Sequence, residues 1–263
     1  MSIPKVIHYC WFGGNEFSQL EKDCIASWRK FCPDYEIIEW NESNVDLSKC
    51  KFAQDAYEDK KWAFVSDYVR TLVVYEHGGI YLDTDVKLIK SLDPLLECTA
   101  FGGFEDEWTV ATGVGFGAEK NDPIVKEFMD YYNNTTYYDE NGEVSPVLAP
   151  TVSTEVLVSH GLQLYNNVIQ KVGTFTIFPI DYFAPLNIRI NKLKVTDNTY
   201  SIHLYSASWY TEEQRKQRRI DTRRRKIERI PGGKQLYRIW EIIRCFLFEG
   251  GFKSILKSKF KLK

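Results

Sequence analysis

The sequence predicts an α/β fold in which a mixed sheet is flanked by helices. Two observations predict it. Strand, helix and strand succeed one another within the first forty residues, the opening of an α/β layer structure. A long helical pattern over residues 61–77 then runs directly into a short apolar strand at 80–82. The 263 residues, 44% of them hydrophobic, suffice for one sizeable core with an appendage.

Each element has its own signal. Residues 6–12 read as a buried strand ended by Gly13-Gly14. Residues 19–31 carry Leu20, Cys24, Ile25, Trp28 and Phe31 on one helical face, and Pro33 stops the helix. Residues 35–40 form a second strand. In the helix at 61–77, Phe64, Tyr68, Leu72 and Tyr75 recur at helical spacing, and Gly78 is placed to end it in a left-handed conformation. Residues 101–118 are glycine-rich and read as strands and a loop at a cleft. A helix is expected over 122–133, with Pro123 in its first turn. Residues 135–150 read as a loop, 154–160 as a short helix, and 175–178 and 201–204 as strands.

Charge divides the chain. Residues 212–263 hold 17 Lys and Arg against 6 Asp and Glu, whereas residues 1–211 hold 17 against 30. This predicts an acidic domain over 1–211 and a basic helical tail over 212–263 that meets an anionic partner. In the tail, Leu236, Ile239, Trp240, Ile243 and Leu247 share a helical face, and lysines follow. A solvated helix, a nucleic-acid contact and a membrane-surface helix are the three readings. Aromatics beside lysines favour the last. Six scattered cysteines without a Cys-x-x-Cys pair, and no signal-peptide pattern, predict a cytoplasmic setting at the inner membrane face.

The chemistry concentrates at Asp83 and Asp85. In an extended segment, residues two apart point the same way, so the two carboxylates would converge. Hard cations such as manganese and magnesium take oxygen ligands and share them with substrate phosphates. Asp-x-Asp alone is a weak signal, but here it follows a buried strand immediately. On the preceding helix, Asp67 and Arg70 lie three apart among apolar neighbours. They form either an ordinary ion pair or a sugar-binding pair, with Arg70 suited to bidentate contacts. His8 reads as a core residue, His77 as a helix-terminal one, and His203 as the candidate ligand.

Ala63-Phe64-Val65-Ser66-Asp67-Tyr68-Val69-Arg70, followed by Gly78-Gly79-Ile80-Tyr81-Leu82-Asp83-Thr84-Asp85, resembles the signature of glycosyltransferase family 32. These are sugar-binding-region glycosyltransferases with an Asp-x-Asp motif, and they include bacterial capsular polysaccharide enzymes and yeast mannosyltransferases. A similar block occurs in the large glucosylating bacterial toxins. The opening segment, Ile3 through Gly14, and the segment His203-Leu204-Tyr205-Ser206-Ala207-Ser208-Trp209 look like the same family's first and last motifs.

The resemblance implies a GT-A fold, a divalent metal, usually Mn2+ (or Mg2+), and a nucleotide-sugar donor. It implies that Trp11 stacks on the base and that Asp67 and Arg70 hold the donor sugar. Asp83 and Asp85 would bind ribose, metal and diphosphate. His203 and Ser208 would close the metal and phosphate site, with Trp209 over the diphosphate. Where many relatives carry Asn, this chain has Thr112. The expected function is retaining hexosyl transfer in capsular or cell-surface polysaccharide synthesis. The donor is a UDP-hexose, glucose or galactose, and the acceptor a lipid-linked glycan or oligosaccharide. GDP-mannose-dependent mannosyl transfer is the alternative. A sugar nucleotidyltransferase and an inactive carbohydrate-binding protein are alternatives of other classes.

Overall fold

A computed structural model describes residues 2–144, 147–188 and 190–206. The basic tail, the boundary drawn at 211/212, Cys245, Ser208 and Trp209 lie outside the described residues.

The strands are β1 (Val6–Cys10), β2 (Glu36–Trp40), β3 (Gly79–Tyr81), β4 (Val86–Leu88), β5 (Ala100–Gly103), β6 (Phe116–Ala118), β7 (Gln170–Val172), β8 (Phe175–Phe178), β9 (Leu186–Asn187), β10 (Lys192–Leu193) and β11 (Ser201–His203). The helices are α1 (Gln19–Phe31), α2 (Lys51–Glu58), α3 (Trp62–His77), α4 (Pro123–Asn133), α5 (Ala149–Ser159) and α6 (Ile180–Phe183). Seven strands form one sheet in the order β2-β1-β3-β6-β5-β8-β7. β1 is parallel to both β2 and β3, β6 runs antiparallel to β3 and β5, and β7 runs antiparallel to β8. A Rossmann-like mixed sheet flanked by helices is the architecture expected of a GT-A fold.

Alternation along the strands divides the core between the two sheet faces. Ile7, Ile80 and Phe101 pack with Ile25 and Trp28 of α1. Cys10, Tyr81, Ala100 and Phe175 pack with Phe52, Tyr68, Val69 and Phe128 on α2, α3 and α4. A sheet buried on both faces reads as apolar runs, which is why its strands were legible.

Caps explain several boundaries. Ser18 and Glu21 form a capping box at α1. Asp122 accepts from the Ile124 and Val125 amides and caps α4, with Pro123 in the first turn as expected. Two readings need correction. α5 begins at Ala149, five residues before the expected start, because Pro150 occupies its first turn and does not mark a loop. Gly78 has positive φ but ψ of −176°, so it ends α3 with an extended turn rather than a left-handed helical one. The single 3-10 turns at Leu47–Lys49 and Asp93–Glu97, α2, α6 and the β9–β10 hairpin have no strong local pattern in the sequence.

His8 is the satisfied core residue the sequence predicts. Its Nδ1 accepts from Trp40 Nε1 at 3.0 Å, and Nε2 lies 2.8 Å from the Gly78 carbonyl. Both nitrogens are engaged in the neutral ring, and burial lowers its pKa to about 4. His77 stacks on Trp40, and His160 pairs with Glu127 at 2.9 Å. The cysteines at 10, 24, 32, 50 and 98 are free thiols. Among the described residues no helix is long and apolar enough to cross a membrane.

Candidate active site

α3 brings two charged side chains into the interior. Asp67 and Arg70 are both buried, and Arg70 Nη2 lies 2.9 Å from Asp67 Oδ1. This is not the exposed ion pair that i,i+3 spacing usually signifies. The same Nη2 lies 3.2 Å from Asp83 Oδ1, while Arg70 Nε donates to the Ser66 carbonyl at 3.1 Å. The guanidinium carbon sits 4.9 Å from the centre of the Tyr81 ring, and the Tyr81 hydroxyl donates to Asp83 Oδ1 at 3.0 Å. Burial opposes the charge on Arg70, but Asp83, Tyr81 and Asp67 hold it protonated. Burial also raises Asp67 to about 6, against the pull of Arg70.

Asp83-Thr84-Asp85 is not the extended segment that was expected. The Val86 amide donates to the Asp83 carbonyl at 2.9 Å, which closes a turn between β3 and β4. The carboxylates converge through tertiary pairing instead. β4 pairs antiparallel with β11, with Val86 opposite His203. His203 Nε2 then lies 3.0 Å from Asp85 Oδ1, and the Ser206 amide donates to Asp85 Oδ2 at 2.7 Å. α1 anchors this ribbon from below: Trp28 Nε1 donates to the Val86 carbonyl at 2.7 Å, and the Leu88 amide donates to Ser27 Oγ at 2.9 Å.

The two aspartates differ electrostatically. Burial raises Asp83, with Arg70 working the other way. Burial would raise Asp85 too, but His203 and the Ser206 amide bring it down to about 2. Burial disfavours charge on His203, yet Asp85 outweighs it and the imidazole pKa rises. Asp85 is therefore ionised at neutral pH, with the His203 ring against one oxygen and the Ser206 amide against the other.

Asp83, Asp85 and His203 each offer a ligand atom, and these atoms lie within 4.8 Å of one another. His203 Nδ1 is buried with no hydrogen-bond partner. Two carboxylates and an imidazole with an unsatisfied nitrogen fit a hard divalent cation such as manganese or magnesium.

The backbone fits closely around this cluster. Gly113 is where a Cβ would come 2.2 Å from Asp83 Oδ2 and 3.0 Å from Arg70 Nη1. Beside it Thr112 is buried, and its hydroxyl has no partner among the described residues. Trp11 leaves β1 at the carboxyl end of the sheet, the same end from which Asp83 leaves β3. Its ring lies 4.5 Å from Phe17, and its Nε1 donates to the Asn15 carbonyl. Among the described residues no contact joins Trp11 to the carboxylates, although both leave the same end of the sheet.

A cleft of about 1140 Å³ borders the cluster. Tyr205, whose ring lies 4.1 Å from the His203 ring, lines it together with Glu105. Tyr205 holds φ at 52°, a left-handed conformation that costs a non-glycine residue roughly 1–2 kcal/mol. Burial raises the Glu105 pKa, against the pull of His203. Glu105 carries no motif in the sequence, and Tyr81, Gly113, Tyr205 and Ser206 stand in motif segments without a role of their own there. The acidic run Glu105-Asp106-Glu107 directly after an apolar strand was the available signal.

Residues 18–101, about a third of the chain, match the family described as glycosyltransferase sugar-binding region containing DXD motif. That span includes Asp67, Arg70, Asp83 and Asp85. The sequence is 32% identical over 108 residues to inositol phosphoceramide mannosyltransferase 3 of Schizosaccharomyces pombe, covering 38% of this chain and 29% of that protein. It is 24% identical over 221 residues to mannosyl phosphorylinositol ceramide synthase CSH1 of Saccharomyces cerevisiae, covering 80% of this chain and 53% of that protein. The chain thus spans about half or less of the relatives it matches. These relatives are yeast mannosyltransferases rather than the capsular or toxin enzymes that the sequence reading put first. Among solved structures, PaToxG Glycosyltransferase aligns at TM-score 0.45 and 20% identity, over 60% of this chain and 70% of that one.

Proposed function

We propose that this chain is a metal-dependent retaining glycosyltransferase that transfers mannose from GDP-mannose. The observation that carries the reading is the array in which buried Asp67 and Arg70 meet the partly exposed Asp83, beside Asp85 and His203. An array of this kind suits the departure of a nucleoside diphosphate. Asp83, Asp85 and His203 would hold the cation, which neutralises charge growing on the diphosphate. Asp67 accepts hydrogen bonds from sugar hydroxyls, and Arg70 fixes Asp67 and Asp83 relative to each other. Trp11, at the same sheet edge, is placed to stack on the base. The acceptor hydroxyl would approach from the same face as the departing diphosphate, without a covalent glycosyl-enzyme.

Mannose replaces glucose and galactose as the favoured sugar because matched relatives are named as a mannosyltransferase and as a mannosyl phosphorylinositol ceramide synthase. Membrane attachment through the basic sequence at 212–263 belongs to the same proposal. The test is release of nucleoside diphosphate with Mn2+ from GDP-mannose, UDP-glucose and UDP-galactose. Release of GDP supports the reading. UDP release alone returns the donor to a UDP-hexose. Pyrophosphate release from a nucleoside triphosphate would make the chain a nucleotidyltransferase, and no turnover of any donor would make it a binding protein.

A further inference from the structure

Two aromatic rings stand in the cleft wall on loops that are tied together. Trp108 sits at the tip of a short hairpin, in which Phe104 bridges Val110 and the Glu105 amide donates to the Thr109 carbonyl at 2.9 Å. Asp106 Oδ1 accepts from the Trp108 and Thr109 amides at 3.1 and 2.9 Å, which fixes the tip. Tyr165 comes from a second loop. The Gln170 side chain closes it, accepting from the Gln163 amide and donating to the Gln163 carbonyl, both at 2.9 Å. The Tyr165 amide then donates to the Glu107 carbonyl at 2.8 Å and joins the two loops. The ring centres lie 5.9 Å apart with the planes inclined at 54°, and Tyr165 is 72% exposed.

This presentation costs free energy. Of the five non-glycine residues with positive φ among the described residues, two are aromatic, Tyr165 at 59° and Tyr205 at 52°, and both line this cleft. A bulky residue adopts such a backbone only where its surroundings impose it, and such outliers gather at ligand sites. Trp108 and Tyr165 are thus held outward by main-chain bonds. Exposed rings gathered at a cleft mark a binding surface.

The lining selects the ligand's chemistry. Glu105, Asp106, Glu107 and Asp181 line the cleft against Lys192 and Lys194, so its charge disfavours an anion. Glu105 and Glu107 offer hydrogen-bond acceptors, and the Asn166 and Asn167 amides offer both acceptors and donors. Flat rings beside such groups match a sugar, which has apolar C–H faces and a rim of hydroxyls. Hydrocarbon would cover the carboxylates and amides without replacing their water. A cleft of about 1140 Å³ exceeds the roughly 300–1,000 Å³ of pockets for drug-sized ligands, so it holds more than one hexose. None of Asp67, Arg70, Asp83 and Asp85 lines it, yet it reaches Tyr205, whose ring lies 4.1 Å from that of His203.

We infer that Trp108 and Tyr165 form a sugar-binding subsite apart from the donor site, and that the acceptor is a neutral oligosaccharide. An inner unit rests on the two rings, while the terminal unit lies at Glu105 and Tyr205 beside the metal ligands. The inference rests on the glycosyl-transfer reading for the word acceptor, and on the rings and their setting for the oligosaccharide.

The full chain is titrated calorimetrically with α-linked mannotriose, maltotriose and cellotriose, with mannose and glucose, with anionic trigalacturonate, and with monomeric octyl glucoside. At least one neutral trisaccharide is expected to bind at least about tenfold more tightly than its monosaccharide. Trp108→Ala and Tyr165→Ala should each weaken that trisaccharide by about tenfold, and Trp108→Phe by less. Both Ala variants should keep the cooperative melting of the unaltered chain, which shows that they are folded. Val158→Ala, at an exposed residue outside the cleft lining, should bind as the unaltered chain does. Trisaccharides that bind no better than monosaccharides overturn the inference, as does trisaccharide affinity that survives both Ala substitutions. Octyl glucoside bound as tightly as the best trisaccharide overturns it in favour of a hydrocarbon site. Trigalacturonate bound as tightly overturns the neutral ligand class. Absence of donor turnover in the unaltered chain, with trisaccharide binding still dependent on the rings, would overturn the transferase reading and leave the sugar subsite standing.

Discussion

Arg70 Nη2 lies 3.2 Å from Asp83 Oδ1, and this contact ties helix α3 to the turn that carries both aspartates. Asp67 shares the same nitrogen at 2.9 Å. One buried cation therefore positions a sugar-binding carboxylate and a metal-binding carboxylate together. A lysine offers a compact point charge and cannot also keep the Nε bond to the Ser66 carbonyl.

Arg70→Ala should unfold more easily by about 3 kcal/mol, because the buried Asp67 and the partly buried Asp83 both lose their partner. Arg70→Lys should retain more stability but lose about 100-fold in donor turnover through misplacement of the carboxylates. Denaturant unfolding and nucleoside diphosphate release measure the two effects. A Lys variant of unaltered turnover would show that position 70 contributes charge alone.

Asp85→Asn keeps the shape and removes the ionised ligand beside His203. Turnover should fall by roughly 10²–10³-fold, with Mn2+ binding weakened in parallel. Spin resonance of free Mn2+ during titration reads the binding directly. Normal affinity with normal turnover would remove Asp85 from the metal site.

Gly113→Ala tests the close fit around Asp83. The added methyl falls 2.2 Å from Asp83 Oδ2, so the carboxylate or the loop must move. Turnover should drop by about 100-fold, and stability by about 1–3 kcal/mol. Gly142→Ala is the control for a positive-φ glycine in open space, since no atom lies within 4 Å of its Cβ position. It should leave turnover unchanged.

His8 gives a pH dependence with a definite sign. Its folded pKa of about 4 lies below the ordinary 6.5, so folding favours the neutral ring. Its contribution is complete above pH 6.5 and is lost as the pH falls towards 4, amounting to about 3 kcal/mol at most. Unfolding free energies of the unaltered chain and His8→Gln should therefore differ in slope between pH 6.5 and 4. Parallel curves would show that His8 is not held neutral.

The legible parts of the chain are those whose signal is local. α1 was read residue for residue because its apolar face repeats at 3.6 and Pro33 follows it. β8 was read equally well as a continuous apolar run. Asp67 and Arg70 were found because charge stands out on an apolar helix. Elements with weak local signal were missed. β9 and β10 are two residues each and have no pattern to read. The start of α5 was hidden because Pro150 reads equally as a loop residue or a first-turn residue.

By itself, then, the sequence determined the α/β class, the apolar faces of α1 and α3 and the identity of the charged residues, since periodicity and composition are properties of short segments. Only the tertiary structure decided how Asp83 and Asp85 converge. Their backbone turns rather than extends, and the partner that gathers Asp85 is His203, delivered from far along the chain by the pairing of β4 with β11. A cleft at residues 101–118 was legible from the glycines, but its opposite wall was not. Val168, Ile188 and Lys192 come from separate loops and strands, and no periodicity records that folding will place them around one volume.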